Sequence, residues 1–294
     1  MFTNILVGID GRDGGRDALA LAVALAGGNE LTLAHIYHGD VQLGRGYDAA
    51  YPVPEREHAA EVLESAVHEI GIEAHLRWRG APSVGQGLHE LAEVIEADLL
   101  VVGSSRHGGL GRVFLGDDTH AALNGASCAV AVAPAGYAQH PWLMREIGVG
   151  YNGSPESGCA LSVARALATQ HSARLSAFEA VWIPWHGFGT EHTGPDNAID
   201  ELVDQARERI AALGGEIEPH AVFGEPAQEL ALYSASLDLL VLGSRSEGPI
   251  GRLVHGSTSQ HLARSARCPL LVVTRADAAT LTGERGEATA LACR

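Results

Sequence analysis

The chain of 294 residues is 46% hydrophobic and carries a formal net charge of −16 at pH 7. This apolar fraction is typical of a soluble globular protein with one large or two ordinary domains. The acidic balance disfavours nucleic acid as a partner, because a surface that follows phosphates needs clustered Lys and Arg. The sequence also lacks a basic, cleavable leader and an apolar run long enough to span a bilayer, so we expect a cytoplasmic protein without membrane contact.

Strand-like apolar runs alternate with amphipathic segments from the N-terminus onward. The runs predict strands at residues 5–9, 31–37, 74–78, 99–102 and 129–133. The segments between them predict helices at residues 16–26, 57–70, 84–96 and 119–124. Strands connected through helices in this way form a parallel sheet with helices on both faces.

The second part of the chain repeats the first. ILVGIDGRDGG, which starts at Ile5, matches IGVGYNGSPESG, which starts at Ile147. Residues 98–116 match residues 238–256 at a constant offset of 140, with 10 of 19 positions identical. A sequence that repeats itself at domain length indicates tandem domains. The strands of the second repeat are predicted near Ile147, Leu175, His220, Leu239 and Leu270.

We therefore predict an α/β protein of two tandem domains, each a doubly wound, five-stranded parallel sheet. The first domain is predicted to span residues 1–137 and the second residues 146–275, with a linker at residues 138–145. Residues 276–294 are small and polar without an apolar period, which predicts a disordered tail.

A glycine-rich stretch, GSRSEGPIGRLVHGSTSQ, follows the apolar run LDLLVL. It begins at Gly243, whose lack of a side chain would let a ligand approach the backbone at the end of the strand. The next predicted helix opens at Gly256 and Ser257, and the free N–H groups of a helix N-terminus bind phosphate. The hydroxyls of Ser257, Thr258 and Ser259 could add hydrogen bonds. Gly and Ser are also the usual helix-capping residues, so a purely structural loop fits the same pattern.

The spacing within this stretch resembles the nucleotide-binding motif of the universal stress protein family. In that motif Gly, two residues, Gly, nine residues and Gly are followed by Ser or Thr. The resemblance extends over nearly the whole chain, twice, and identifies a tandem member of the family. It implies a flavodoxin-like fold of the adenine-nucleotide alpha hydrolase type, with ATP between the end of the first strand and the glycine loop. It also implies pseudo-twofold pairing of the two domains through their last strands.

The glycine-rich stretch of the second repeat keeps most of the motif. Gly243, Gly256 and Ser257 match it, whereas Ser246 replaces its second glycine. Serine is small, so the loop can still close over a phosphate if its backbone angles stay in an allowed region. Arg245 lies in the same loop and belongs to the predicted nucleotide site.

Two further positions follow from the resemblance. Asn152 stands where the family has an acidic residue near the ribose or a metal. An amide can bond a ribose hydroxyl but is a poorer Mg²⁺ ligand than a carboxylate, and within Tyr-Asn-Gly-Ser-Pro it can equally be a turn residue. Ala180 falls on the adenine side, at the end of the second strand, where the family usually has valine.

The first repeat departs from the motif. Asp10, Gly103 and Gly116 are in place, but Arg106 stands where a glycine is expected and Asp117 replaces the Ser. A carboxylate at ~4 Å and an effective dielectric constant of ~20 repels a phosphate by on the order of 4 kcal/mol, about a thousandfold in affinity. We therefore expect nucleotide in the second repeat and weaker involvement of the first.

The function that the resemblance implies is an ATP-binding regulator of the stress response. No P-loop lysine follows the glycine-rich stretch, so we expect at most slow ATP hydrolysis or autophosphorylation. Mg²⁺ can accompany the ATP, whereas the Cys and His residues lack the spacing of a metal site. Protein partners stay unspecified, and a homodimer is compatible with the sequence. The alternative is a scaffold of the same fold whose pockets have lost nucleotide binding, which the departures from the motif favour.

Overall fold

Ten β-strands of this protein form one continuous sheet. The computed structural model describes residues 1–38, 53–104, 124–141, 143–182, 197–244 and 257–273. The strands are β1 Ile5–Gly8, β2 Leu31–His38, β3 Ala74–Ala81, β4 Leu99–Gly103, β5 Ala129–Ala133, β6 Glu146–Gly150, β7 Arg174–Val181, β8 Ile217–Phe223, β9 Leu239–Gly243 and β10 Leu270–Val273. The α-helices within these ranges are α1 Asp13–Ala26, α2 Val53–Ile70, α3 Val84–Val94, α4 Pro155–His171, α5 Asn197–Ala211, α6 Pro226–Tyr233 and α7 Ser257–Ser265.

The strand order of the sheet is β3-β2-β1-β4-β5-β10-β9-β6-β7-β8. Within each half, neighbouring strands run parallel, as in the pairing of Ile5 with Leu31 in the first half and of Ile147 with Leu175 in the second. Each half places its first strand between its second and its fourth. This arrangement confirms the predicted pair of doubly wound, five-stranded parallel sheets.

The two halves join through antiparallel pairing of their last strands. Residues 130–132 of β5 pair with residues 270–272 of β10, which confirms the pseudo-twofold arrangement that the resemblance implied. Because the strands are parallel within each half, this pairing sets the two halves in opposite directions. The carboxyl ends of the strands of the first half therefore lie at one edge of the sheet, and those of the second half at the other.

Apolar side chains cover both faces of the sheet. One face, called here the α1/α4 face, packs Val7 and Val149 against helices of both halves, including Leu21 of α1 and Val163 of α4. The other face, called here the α3/α7 face, packs strand residues such as Leu6 against α3, α6 and α7. Side chains alternate between the faces along a strand, so a parallel sheet with helices on both sides is apolar on both. Among the described helices, none is long and apolar enough to cross a membrane.

Helix α1 begins at Asp13 and not at residue 16 as predicted. The two glycines of its first turn have low helix propensity, which is why the sequence pattern placed the start later. The Asp10 carboxylate compensates, because its Oδ1 accepts hydrogen bonds from the N–H groups of Arg12 and Gly15 at 2.9 and 3.0 Å.

Two further elements are longer than predicted, and parts of others fall outside the described residues. Helix α2 begins at Val53 and not at residue 57. β3 ends at Ala81 and not at residue 78, because it pairs with β2 along its whole length. Residues 119–123 of the predicted fourth helix lie outside the described residues, as does the predicted tail at residues 276–294.

The segment that joins the halves packs on helix α1 from Gly136 onward. Asp17 of α1 is 2% exposed, and its carboxylate accepts hydrogen bonds from the N–H groups of Gly136 and Ala138, both at 2.8 Å. Burial raises the pKa of this carboxyl group, although the two N–H donors oppose the shift. Because the halves run in opposite directions, the chain leaves β5 at the edge where β6 begins, so a short linker is enough.

One aspartate in each half ties the beginning of the fourth strand to that of the first. Asp98, before β4, accepts hydrogen bonds from the N–H groups of Thr3 and Asn4 at 2.7 and 3.1 Å. Asp238, before β9, accepts them from Glu146 and the residue before it at 3.0 and 2.8 Å. The repeat therefore preserves individual contacts as well as the strand pattern.

The first glycine of each glycine-rich stretch has a packing role. A Cβ atom at Gly243 would overlap the backbone carbonyl of Glu156 in the first turn of α4. At Gly103 it would overlap the carbonyl of Gly14 in α1. The start of each helix thus lies directly against the end of a strand, and this geometry requires glycine whether or not a ligand binds.

Replacing Gly243 or Gly103 by Ala is expected to lower the free energy of unfolding by about 2 kcal/mol or more, because backbone atoms must move to admit the methyl group. Gly8→Ala is the matched control, since its Cβ would meet the flexible Leu88 side chain at 3.3 Å. Urea unfolding of the three variants measures the difference. Equal losses in all three would contradict the packing role.

Replacing Asp98 by Ala is expected to lower the free energy of unfolding by about 1 kcal/mol, because the N–H groups of Thr3 and Asn4 lose their acceptor. Asp98→Asn keeps an acceptor oxygen and should lose less. Thermal unfolding compares the two variants, and an Ala variant as stable as the Asn variant would speak against this contact.

Candidate functional site

In the second half the chain leaves two neighbouring strands in opposite directions, and the position between their carboxyl ends is called the crevice here. β6 and β9 are paired in the sheet. From β6 the chain enters α4 on the α1/α4 face, and after β9 it enters α7 on the α3/α7 face. In open α/β sheets, ligands bind at such a point beyond the carboxyl ends of the strands. Of the predicted site residues that the structure describes in the second half, Asn152, Ala180 and Gly243 lie at the carboxyl ends of β6, β7 and β9.

Asn152 lies in the turn between β6 and α4. Its Oδ1 accepts a hydrogen bond from the Ser154 N–H at 3.1 Å, and the Ser154 hydroxyl in turn caps α4 by accepting from the Ser157 N–H at 3.3 Å. This is the turn role that the sequence left open. The side chain is exposed, and its amide also carries two N–H donors that this bond does not use. The turn therefore holds a polar group at the mouth of the crevice.

Helix α7 begins at Ser257, so the predicted helix start agrees with the structure. The N–H groups of a first helical turn have no acceptor within the helix and attract anions. Thr258 is half-buried, whereas Ser259 is 6% exposed, which places the Ser259 side chain inside the fold. Of these two side chains, that of Thr258 is the more accessible.

Small residues leave an apolar ledge beside the crevice on the α3/α7 face. The ledge consists of Ala180 on β7 and Val222 on β8, which are paired and only partly buried. On the neighbouring strand β6, a Cβ atom at Gly150 would lie 2.7 Å from Leu242, so a side chain has little room there. Ala180 thus lies at an open apolar surface next to the crevice, on the side predicted for an adenine base.

An ion pair between a buried carboxylate and a half-exposed arginine supports the Asn152 turn from the α1/α4 face, and the sequence did not reveal it. Glu179 on β7 is 8% exposed, and its two carboxylate oxygens accept hydrogen bonds from the Arg209 guanidinium at 2.7 and 3.2 Å. The bond to Glu179 raises the pKa of Arg209, and burial raises that of Tyr151. Arg209 also lies beside the turn, with its Cδ 3.9 Å from where a Cβ of Gly153 would be. A glutamate within the apolar strand was the available signal, but its partner is 30 residues away.

The corresponding position in the first half lies at the opposite edge of the sheet, and different residues surround it. Asp10 caps α1, and Gly103 packs against the same helix. Ile36 takes the place of Ala180 in the matching strand register. Its Cγ2 atom lies 2.7 Å from where a Cβ of Gly87 in α3 would be, so Ile36 is packed tightly against that helix. The ledge of the second half is therefore filled in the first.

Several residues that the sequence singled out lie outside the described residues: Arg106, Gly116, Asp117, Arg245, Ser246 and Gly256. The described ones fall into two groups. Asn152, Ala180 and Gly243 lie at the carboxyl ends of three adjacent strands of the second half, and α7 starts on the same face as Ala180. Asp10 and Gly103 belong to the other edge of the sheet.

The second-half arrangement can hold an elongated ligand with unlike ends. The start of α7 attracts an anionic group. Asn152, on the strand connection between, can bond a hydroxyl, and the ledge can cover a flat apolar group.

A comparison with known proteins matches both halves of the chain to one family. The family model described as "Universal stress protein family" matches residues 1–134 and 144–274. A universal stress protein of Mycobacterium tuberculosis strain H37Rv is 26% identical over 260 residues, which are 82% of this chain and 86% of the relative. One from Thermus aquaticus is 31% identical over 144 residues, 45% of this chain and 99% of the relative, so it corresponds in length to one half.

A solved structure has the same fold over its whole length. The crystal structure of a universal stress protein from Archaeoglobus fulgidus DSM 4304 has a TM-score of 0.63 at 19% identity. The likeness covers 92% of this chain and 98% of that one. With both halves matched by the family model and the fold shared, this chain belongs to the universal stress protein family.

Proposed function

We propose that this protein is an adenine-nucleotide-binding regulator of the stress response that holds ATP in its second half. The observation that carries the proposal is the order of groups around the crevice. The α7 start and the Ala180 ledge share one face of the sheet, and Asn152 follows β6, which lies between β9 and β7. Phosphates, ribose and adenine follow one another in the same order along ATP.

Each part of the site would meet one part of the nucleotide. The first turn of α7 would supply N–H groups and partial positive charge to the phosphates, with the Ser257 and Thr258 hydroxyls as further donors. Arg245 and Ser246 of the glycine-rich stretch would complete the phosphate site. Any Mg²⁺ would arrive bound to the phosphates, because the Asn152 amide is a weaker ligand than a carboxylate.

Two different features of the first half argue against a second ATP site there. Asp117 stands in the sequence where the second half has Ser257, and its charge would repel phosphates. Ile36 fills the position of Ala180 and leaves no ledge for a base. We therefore expect one ATP per chain.

We propose that the protein acts through binding in the cytoplasm, with ATP turnover absent or slow. The groups assigned to the nucleotide hold phosphates and a ribose, and no P-loop lysine follows the glycine-rich stretch. Bound ATP would change the surface that this edge of the sheet offers to protein partners, so occupancy would control their binding.

Ser257→Asp tests the assignment, because it gives α7 the residue that stands at this position in the first half. A carboxylate beside the phosphates should weaken ATP binding by about a thousandfold, as estimated above for Asp117. The same carboxylate suits a helix start, so stability without ATP should stay unchanged or rise. Titration calorimetry and thermal unfolding without ligand measure the two quantities.

Ser236→Asp is the control with the same change of charge. Ser236 is exposed and precedes β9, at the edge of the sheet opposite the crevice. The Ser236→Asp variant should bind ATP with the affinity of the unchanged protein. Full affinity in Ser257→Asp would refute the phosphate assignment. An unchanged protein that shows no saturable binding at millimolar ATP would instead favour the scaffold without nucleotide.

A further inference from the structure

Trp182 presents an aromatic side chain at the carboxyl edge of the sheet. It directly follows β7 and is 50% exposed. The backbone at this point is held, because the Gly224 N–H donates a hydrogen bond to the Val181 carbonyl at 3.1 Å and so continues the contact between β7 and β8. A large apolar side chain on a fixed backbone is thus offered to solvent beside the crevice.

The position of Trp182 along the chain places it on the side of the ledge. Ala180 packs toward the core of the α3/α7 face. Side chains alternate along a strand, so residues two positions apart lean to the same face. By this alternation Trp182 belongs to the same side as Ala180, which is the face where α7 begins.

The first half has no equivalent of this pair. In the matching strand register, Ile36 takes the place of Ala180 and His38 that of Trp182. Ile36 is packed against α3 at Gly87 and fills the space. An open ledge with an aromatic ring at its end is thus a property of the second half.

We propose that the indole of Trp182 stacks on the base of the bound nucleotide and makes the site selective for purine nucleotides. This inference rests on the proposed function, since it concerns the base end of the same site. Ala180 supplies the room and Trp182 the flat apolar surface. A purine has a larger ring face than a pyrimidine and gains more from stacking. Trp182 would then determine base selectivity, while the phosphates bind at α7.

The test compares Trp182→Ala with Trp78→Ala in the full-length protein. Trp78 is the matched control, because it lies on β3 of the first half and is 38% exposed. Trp182→Ala should weaken ATP binding by about tenfold or more. Binding of inorganic triphosphate, which has no base, should not change. Trp78→Ala should leave both affinities unchanged.

Two further variants separate stacking from a general disturbance of the site. Trp182→Phe keeps an aromatic face and should recover most of the ATP affinity, but it should lose the quenching of tryptophan fluorescence on addition of ATP. Ala180→Ile copies the first half and should weaken ATP binding without affecting inorganic triphosphate.

The outcomes also separate this inference from the proposed function. Tight ATP binding that is equal in Trp182→Ala and in the unchanged protein would overturn the role of Trp182 and leave the proposed function standing. The same holds if CTP binds as tightly as ATP. Failure of the unchanged protein to bind ATP at all would overturn both.

Discussion

The hydrogen bonds between β5 and β10 determine how the rest of the molecule is arranged. They join two parallel sheets into one, and because they are antiparallel they turn the second half against the first. The linker follows from this, since β5 ends at the edge where β6 begins and the buried Asp17 carboxylate holds the intervening turn. The α1/α4 face also becomes a single core to which helices of both halves contribute. The two halves are therefore parts of one folded unit.

The close packing at the ends of β4 and β9 limits what the sequence can vary near the candidate site. Gly103 and Gly243 both lie against the first turn of a helix, with no room for a Cβ atom. A glycine at this position is therefore required by the fold, and by itself it says little about ligands. Differences in function must come from positions with more freedom, and these are the ones where the halves diverge, such as Ile36 and Ala180.

The architecture could be predicted from the sequence, because the internal repeat indicates two domains and the apolar runs indicate their strands. The start of helix α7 could be predicted from the Gly and Ser residues that usually begin a helix. The start of α1 could not, since the Asp10 carboxylate offsets the low propensity of two glycines. The Asn152 pattern allowed two roles. The structure establishes its turn hydrogen bond, and its role toward a ligand stays a prediction.

Contacts between residues distant in sequence were beyond prediction for a different reason. Glu179 and Arg209 stand on a strand and on the following helix, and only the packing of that helix on the sheet brings them together. The contacts of Asp17 could not be predicted either, because its partners are the backbone N–H groups of Gly136 and Ala138, which do not depend on residue type.

The opposed directions of the halves place their two sites at opposite ends of the molecule, and the residues that differ make these ends unlike. A symmetric pair of identical domains would show a partner the same surface twice, once on each side of its twofold axis. Here one end carries Asp10 with a filled ledge and the other carries Asn152 with an open one. A protein that recognises the open end meets it once per chain and in a single orientation, so complexes built on that contact would be polar, with one partner to each tandem molecule.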